Sequence, residues 1–527
     1  MERIREIALR LRSGALSADD LLHQCQQRAR KLQRLNAFIT QTPELAQKQS
    51  EEAGERYKKG KPKGKLDGIP IAVKDNFSTK GIQTTCASRM LQGYVPPYTA
   101  TVVQRLLDEG AVLMGKTNMD EFAMGTGTID SASGPTQNIW GHPLLKVQSH
   151  NALVKHQDGS EVSQRSIHTQ ATSVEDSDWF ISGGSSGGSA VAVASGMCFA
   201  ALGSDTGGSV RHPASYSGVV GFKPTYGLCS RHGLIPLVNS LDVPGIFAKS
   251  VDDVATVLGA IAGHDPLDST TVTDTFEPFE LDEEISLDGL HIGIPKEFHF
   301  PGLDDCVLQA WSRGVDLFEK AGVKVSEVSV PNVQYSTACY SVMGPVEVAS
   351  NMARYDGIEY GHRHEHSDST ELLYAATRHQ GFNDVVRGRI LAGNYFLLKD
   401  NYEKYFLQAQ RVRRLIANDF QRVFRSGVDV LLTPSSVSDA RTYKDFVARD
   451  NRQQQEVEDV MFMSANLAGI PAISVPAFLS PQSMPIGLQL IGQGFKEKQL
   501  LTVSKWLEQQ VSFPWQELQR SLRSTDR

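Results

Sequence analysis

The stretch of sequence that decides the fold is rich in glycine and serine. Residues 182–224 read SGGSSGGSAVAVASGMCFAALGSDTGGSVRHPASYSGVVGFKP. Ten of the 39 residues from 183 to 221 are glycine, whereas the whole chain of 527 residues contains 45. The small side chains cluster in two loops, at 182–189 and 203–209. Because glycine adopts conformations closed to other residues, both loops can approach a ligand closely, and they are the first candidates for a functional site.

Three interpretations of these loops are open from the residues alone. A phosphate cradle uses backbone N–H groups, but neither loop has the Gly-Lys-Ser/Thr ending of a P-loop or a complete GxGxxG that opens a helix. Tight turns without a further role are the ordinary use of a Gly-Gly pair. The third interpretation is a serine nucleophile, with the backbone N–H groups of Thr206, Gly207 and Gly208 as an oxyanion hole.

A serine nucleophile needs a base, and the sequence offers two kinds. The chain has 14 histidines, but none lies in a recognisable triad context and a GxSxG elbow is missing. Lys74 directly follows the apolar run Ile69–Val73. At the carboxyl end of a buried strand, burial would lower the pKa of this lysine and leave an amine that accepts a proton. A surface lysine at a strand end is the alternative. The residues alone decide neither whether the base is a histidine or Lys74 nor whether Lys74 is buried or exposed.

The composition of the chain excludes several classes of protein. With 60 acidic against 53 basic residues and a net charge of −7, the chain lacks the basic balance that direct nucleic-acid binding usually needs. Its six cysteines lie far apart without a CxxC pair, which argues against a zinc ribbon or a disulfide framework. The longest weakly polar run, 190–203, is too short to span a bilayer, so no membrane contact is expected.

Short apolar runs alternate with helical patterns along most of the chain, which predicts an α/β fold around a large, mostly buried sheet. The predicted strands are Ile69–Val73, Ala111–Gly115, Ile292–Ile294, Val323–Val330, Val428–Leu432, Ala472–Val475 and Ile486–Ile491. The predicted helices include Thr101–Glu109, Gly188–Met197, Val251–Ile261, Val307–Lys320, Asn401–Arg425 and Glu497–Gln510.

The same patterns divide the chain into segments. Residues 1–60 form a helical N-terminal segment, and residues 66–510 form the main domain. Within this domain, 140–178 is polar and lacks periodicity, which predicts a surface insertion. Residues from about 334 to 425 have a mostly helical pattern and form a cap over the sheet, and 511–527 is a C-terminal tail.

The two loops and Lys74 together resemble the signature of the amidase signature family. The matching residues run from Gly183 through Pro213 and continue from Gly218 to Gly227, and the family's strand motif matches Ile71–Asp75. Similarity extends from about residue 5 to 510. The resemblance implies one large α/β domain with a central mixed β-sheet covered by helices on both faces.

The resemblance also implies roles for individual residues. Ser209 is the nucleophile, Ser185 follows a cis peptide bond and relays the proton, and Lys74 is the terminal base. Asp205 and Ser186 lie behind them, and Arg211 pairs with Asp205. An amidase with this Ser–cis-Ser–Lys triad needs no metal and no cofactor of its own.

Further blocks resemble one branch of that family, the A subunits of glutamyl-tRNA(Gln) amidotransferases. They are 114–125, 350–357, 386–390 and 466–471. The likeness implies hydrolysis of glutamine, with Arg389 on the α-carboxylate, Asp459 on the α-ammonium and Tyr340 beside them. A bidentate Arg–carboxylate contact is strong and orients the ligand.

That branch implies a heterotrimer. A B subunit binds ATP and Mg²⁺ and makes most of the contacts with Glu-tRNA(Gln), and a small C subunit ties the two larger subunits together. The ammonia released here converts Glu-tRNA(Gln) to Gln-tRNA(Gln). A stand-alone amidase of another small or apolar amide is the alternative function, and a non-catalytic scaffold is a third.

Two features remain. His362, His364 and His366 alternate with other residues, but these positions do not share one helix face, so we expect a solvated loop and no metal site. The long polar insertion resembles that of animal mitochondrial relatives, and it predicts the mitochondrial matrix as the location.

Overall fold

In a computed structural model of the chain, the structure describes residues 2–142, 178–299, 301–365 and 368–516, together with 518 and 522. The predicted insertion at 140–178 therefore lies outside the described residues, apart from Trp140–His142 and Asp178. The predicted segment boundaries at 60, 66 and 510 stay predictions.

The described residues contain one large mixed sheet. Its strands are β1 Phe38–Gln41, β2 Pro70–Lys74, β3 Val112–Thr117, β4 Ala200–Asp205, β5 Val220–Lys223, β6 Val243–Ala248, β7 His291–Pro295, β8 Lys324–Val328, β9 Val430–Pro434, β10 Ala472–Leu479 and β11 Pro485–Gly492. They lie side by side in the order β1-β3-β2-β4-β6-β5-β10-β11-β9-β7-β8. The pairs of β2 with β3 and β4, and of β7 with β8 and β9, are parallel, whereas the other neighbours are antiparallel.

Helices connect most of these strands. They are α1 Ile4–Ser13, α2 Ala18–Lys31, α3 Pro43–Lys58, α4 Thr101–Asp108, α5 Gly187–Ala194, α6 Arg211–Ser217, α7 Val251–Ile261, α8 Asp305–Lys320, α9 Ser336–Met352, α10 Thr370–Gly381, α11 Asp384–Leu397, α12 Lys399–Tyr402, α13 Gln408–Arg425, α14 Tyr443–Val447, α15 Asn451–Glu458, α16 Met463–Ala468 and α17 Glu497–Val511. A π-helical turn at Glu403–Leu407 joins α12 to α13, so the predicted helix Asn401–Arg425 is interrupted.

Among the described residues, the sheet separates the two large hydrophobic cores, and a third, much smaller cluster comes from α8 and β11. Successive side chains of a strand point to opposite faces, and accordingly Ile71 and Val73 lie in one core whereas Ala72 lies in the other. Apolar residues of α7 and α17 fill the first core, and those of α2 and α5 fill the second. The prediction of one large α/β fold with a mixed sheet and helices on both faces is thus confirmed.

The parallel pairing of β2 with β4 positions the candidate site. Val73 pairs with Leu202, so the carboxyl ends of the two strands lie at the same edge of the sheet. Lys74 ends β2, and β4 ends at Asp205 and runs into the loop 206–209. Ligands of α/β sheets commonly bind at such an edge.

Candidate active site

Lys74 lies at the centre of a buried polar cluster. Its side chain is fully buried, and its Nζ donates to Ser185 Oγ at 2.8 Å, to Ser204 Oγ at 3.0 Å and to the Ser204 carbonyl at 3.4 Å. Burial lowers the pKa of Lys74 to about 7, although carboxylates such as Asp120 and Asp205 act in the opposite direction. A substantial fraction of this amine is therefore neutral at physiological pH and can accept a proton.

Ser185 reaches Lys74 from the first glycine-rich loop. The Gly184–Ser185 peptide bond is cis, as the family resemblance implied. The Ser185 carbonyl accepts from the Asp120 N–H at 3.3 Å. A side chain at position 184 would place a Cβ 2.3 Å from Asp120 Oδ2, so only glycine fits between this carboxylate and the loop.

The second glycine-rich loop packs directly on the first. Gly183 also lies close to α6, the helix that follows the second loop, since a Cβ at position 183 would be 2.7 Å from Pro213 Cα. Ser186 Oγ donates to the Ser204 carbonyl at 3.3 Å. The structure thus joins Lys74 and Ser185 by a hydrogen bond, and it places half-buried Ser209 in the adjoining loop.

Asp205 shapes that second loop. Its carboxylate accepts the N–H groups of Gly208 at 3.0 Å and Val210 at 3.1 Å. Arg211 Nη2 lies 2.9 Å from Asp205 Oδ1 with both side chains fully buried, which confirms the predicted pair. Burial favours the neutral acid, but the Arg211 guanidinium holds the pKa of Asp205 well below its ordinary value. The loop therefore wraps around a permanent carboxylate.

One of the three predicted oxyanion donors already has a partner within its own loop. The N–H of Gly208 already donates to Asp205, so it does not point freely toward a substrate. The Thr206 hydroxyl is also engaged, because it donates to Asp242 Oδ1 at 2.6 Å. The oxyanion hole of Thr206, Gly207 and Gly208 stays a prediction, and the N–H groups of Thr206 and Gly207 are the donors that this hydrogen bond leaves available.

Tyr340 lies against this loop. A Cβ at Gly207 would be 3.0 Å from the Tyr340 ring, and the ring is almost completely buried. Burial raises the pKa of Tyr340, with Arg389 lowering it and Asp459 raising it. The three residues predicted to bind substrate thus interact with one another beside the Ser209 loop.

Helix α15 explains how Arg389 and Asp459 come together. Asn451, Gln455 and Asp459 are spaced by four residues and share one helix face. Arg389 Nη2 donates to Gln455 Oε1 at 2.8 Å and to Asn451 Oδ1 at 3.2 Å. Asp459 follows one turn later and is buried, which raises its pKa well above the ordinary value while Arg389 lowers it. Arg389 and Asp459 therefore lie close enough to interact electrostatically.

Several residues at the site could not be recognised from the sequence. Ser204 accepts from Lys74 and also from Asn76 Nδ2 at 2.9 Å, and the Asp120 N–H donates to the first glycine-rich loop. Asp242 accepts the Thr206 hydroxyl, and burial raises its pKa to about 6. Ser204 lies inside the decisive stretch and Asp120 inside the block 114–125, but only the folded chain shows what they touch.

The described residues hold neither a metal-binding cluster nor a membrane-spanning helix. Across these ranges, no group of three or more His, Cys, Asp or Glu side chains is arranged to hold a metal ion. His362 instead pairs with Gln380 at 2.8 Å, and His366 lies outside the described residues. Within the same ranges, each helix is too short or too polar to cross a bilayer.

The chain has relatives of high sequence identity. It matches the family model described as Amidase over residues 20–144 and 166–501. It is 58% identical over 519 residues to a Xenopus laevis protein named as the mitochondrial A subunit of glutamyl-tRNA(Gln) amidotransferase, and the match covers 98% of this chain and 96% of that protein. The human protein of the same name is 56% identical over 517 residues, covering 98% and 95%.

Solved structures share the fold over nearly the whole chain. The A subunit of glutamyl-tRNA(Gln) amidotransferase from Thermotoga maritima superposes with a TM-score of 0.71 at 34% identity, covering 94% of this chain and 92% of that one. A peptide amidase from Stenotrophomonas maltophilia gives a TM-score of 0.75 at 27% identity, covering 97% of both chains. Family model, sequence identity and superposition agree, and the chain belongs to the Amidase family.

Proposed function

We propose that this chain is the glutamine-hydrolysing A subunit of a glutamyl-tRNA(Gln) amidotransferase. The observation that carries the catalytic part is the hydrogen bond from buried Lys74 to Ser185, since a lysine with a pKa of about 7 can serve as a base. The relatives named as A subunits support the choice of reaction, because they match nearly the whole chain.

The proposed reaction begins with two proton transfers. Ser185 passes its hydroxyl proton to neutral Lys74 and takes the proton of Ser209, whose Oγ attacks the side-chain carbonyl carbon of glutamine. The N–H groups of Thr206 and Gly207 stabilise the oxyanion. Lys74 then returns its proton through Ser185 to the amide nitrogen, and ammonia leaves. Water, activated by the same relay, hydrolyses the glutamyl ester on Ser209 and releases glutamate.

Recognition of free glutamine needs one cation and one anion. Among the described residues, the hydrogen bonds that Arg389 donates all start from Nη2, so the N–H groups of Nη1 remain for the substrate carboxylate. Asp459 takes the α-ammonium, and this positive charge offsets the cost of ionising a buried acid. Tyr340 forms the wall between Arg389 and Asp459 on one side and the second glycine-rich loop on the other. A stand-alone amidase of an apolar amide would have no use for this Arg/Asp pair.

The partners follow from the proposed reaction. A B subunit holds ATP and Mg²⁺ and makes most contacts with Glu-tRNA(Gln), and a C subunit ties the two larger subunits together. The net charge of −7 fits a protein that leaves most RNA contacts to a neighbour. The relatives named mitochondrial support a place in the mitochondrial matrix, which imaging of the chain with its N-terminus left free would test.

A reconstitution tests the whole assignment. The chain is co-expressed with B and C subunits, and the purified complex is assayed for glutamine-dependent conversion of Glu-tRNA(Gln). We expect conversion that stops when Ser209 is replaced by alanine and returns when ammonium salt replaces glutamine. Failure to co-purify, or faster hydrolysis of an apolar amide than of glutamine, would favour the stand-alone amidase.

A further inference from the structure

The turn at 120–130 connects the first glycine-rich loop, which contains the cis peptide bond, with the helices that carry the proposed substrate-binding residues. The Asp120 carboxylate accepts the N–H groups of Thr128 at 3.0 Å, Ile129 at 2.9 Å and Asp130 at 3.1 Å. The Glu121 N–H donates to the Asp130 carbonyl at 2.7 Å. These backbone bonds fix Asp130 in place without using its side chain.

The Asp130 side chain contacts α15, the helix whose Asn451 and Gln455 accept hydrogen bonds from Arg389. Its Oδ2 accepts from Asn451 Nδ2 at 2.8 Å, and Asn451 Oδ1 accepts from Arg389 Nη2 at 3.2 Å. Asp130 and Asn451 are both partly buried. Burial raises the pKa of Asp130, whereas Asn451 and the Arg389 charge lower it. Asp130, Asn451 and Arg389 therefore form one chain of hydrogen bonds. It ends at Arg389, which we propose binds the substrate carboxylate.

We propose that Asp130 is a positioning residue that sets the specificity of the site for substrates with an α-carboxylate. It acts through Asn451 on Arg389 and does not touch the substrate. The inference rests on the proposed function, because it requires that Arg389 binds the carboxylate of glutamine.

The physical reason is that a side-chain amide has an oxygen that accepts hydrogen bonds and an NH₂ group that donates them. A carboxylate only accepts hydrogen bonds, so Asp130 attracts the Asn451 NH₂ group and turns the Asn451 oxygen toward Arg389. Without that acceptor the amide can rotate and present its NH₂ group to the guanidinium, which itself only donates. Gln455 alone would then hold Nη2, and Arg389 would lose one of its two orienting contacts.

The test compares two substrates that differ only in the α-carboxylate. The full chain, in complex with its partner subunits where they are needed for activity, is assayed with L-glutamine and with 4-aminobutanamide, which is glutamine without the carboxylate. We expect Asp130→Ala to raise KM for glutamine about tenfold with little change in kcat. The kcat/KM for 4-aminobutanamide should stay within about twofold, since the triad is untouched.

Further variants separate positioning from folding. Asn451→Ala should give the same split between the substrates, and the double variant should lose no more than the stronger single variant, because both act through one contact. Asp130→Asn keeps an oxygen acceptor and should raise KM for glutamine less than Asp130→Ala. Asp400→Ala, which removes an exposed acid of α12, is the matched control and should change neither substrate.

The outcomes distinguish the inference from the function beneath it. If Arg389→Ala impairs glutamine selectively but Asp130→Ala impairs both substrates equally, or neither, the positioning role is wrong and the proposed function stands. If the unaltered enzyme uses 4-aminobutanamide as efficiently as glutamine, Arg389 binds no carboxylate, and both proposals are overturned.

Discussion

Two lysines of this protein occupy nearly equivalent places and have opposite surroundings. Lys74 ends β2, and Lys116 is the penultimate residue of the neighbouring parallel strand β3. Both side chains are fully buried. An isolated ammonium is costly to bury, so each site must either supply a counter-charge or favour the neutral amine.

The two sites solve this problem differently. Lys116 lies 3.1 Å from Asp75 and also donates to the Phe77 carbonyl at 2.8 Å and to Thr84 Oγ1 at 2.7 Å. Lys74 donates to two serine hydroxyls and a carbonyl, with no carboxylate among these acceptors. Burial lowers the pKa of both lysines, and carboxylates raise it in both. The difference is that Asp75 contacts Lys116 directly, whereas Asp120 and Asp205 are not among the hydrogen-bond acceptors of Lys74. The comparison supports the proposal that Lys74 is the base, and it predicts a structural role for Lys116.

The largest expected effect separates the two lysines by activity. Lys74→Met keeps the length of the side chain and removes the base, so kcat/KM for glutamine should fall about a thousandfold or more. The folded state should persist, because no carboxylate loses a bonded partner. Glutaminase kinetics and a urea unfolding curve measure both. Full activity of the Lys74→Met variant would show that Lys74 is not the base.

The second effect separates them by stability. Lys116→Met leaves the Asp75 carboxylate buried without its cation, and the free energy of unfolding should fall by about 3–5 kcal/mol. The additional change Asp75→Asn should restore part of this loss, since it removes the unpaired charge. Urea unfolding of both variants provides the measurement. An unchanged unfolding midpoint with lost glutaminase activity would mean that Lys116 takes part in the reaction.

The third prediction concerns pH. Because the pKa of Lys74 is about 7, the glutaminase rate should rise with pH through about 7 as the amine loses its proton. The unfolded chain holds that proton up to its ordinary pKa of 10.5 and therefore binds more protons than the folded chain above pH 7. The contribution of Lys74 to the free energy of unfolding should accordingly increase with pH over this window.

The control for this prediction is the difference between the unaltered protein and Lys74→Met. Lys223 is also fully buried with a pKa lowered to about 7 by burial, so the absolute slope of stability against pH contains more than one lysine. Only the difference between the two proteins reports on Lys74. A difference that does not vary with pH would show that Lys74 stays protonated in the folded chain.

The smallest expected effect comes from Ser204→Ala. This change removes one acceptor of Lys74 and leaves the Ser204 carbonyl and Ser185 in place. The ammonium loses a favourable hydrogen bond, so the midpoint of the pH–rate profile should move down by less than about one pH unit, and kcat should fall by about fivefold. A larger loss than for Lys74→Met would mean that Ser204 has a role beyond holding the lysine.

From the sequence we proposed a role for Lys74 but none for Lys116, and the reason is physical. Both follow apolar runs, so the residues alone offered Lys74 only as one possible base, and the family motif then assigned that role to it. The role of Lys116 depends on Asp75 and Thr84, which the fold brings to it from other segments. Burial and charge pairing are properties of the packed chain, and they decide which lysine can be neutral.

The same limit applies to the sheet and to the substrate pocket. Strands with apolar runs, such as β9 and β11, were predicted within a few residues. The central strand β4 reads Ala-Ala-Leu-Gly-Ser-Asp and has no β-branched residue, so it was missed. Small residues suit it because a Cβ at Gly203 would be 2.6 Å from the Phe247 ring. The engagement of the Gly208 N–H by Asp205 was likewise visible only in the folded loop.

The most direct test of the account is to locate the covalent intermediate. The enzyme is mixed with glutamine, quenched with acid within one turnover, digested and mapped by mass spectrometry. We predict one glutamyl ester on the peptide containing Ser209, retained in the folded fraction of Lys116→Met and absent from Lys74→Met and Ser209→Ala. An ester on another residue, or one that persists without Lys74, would contradict the assignment of nucleophile and base.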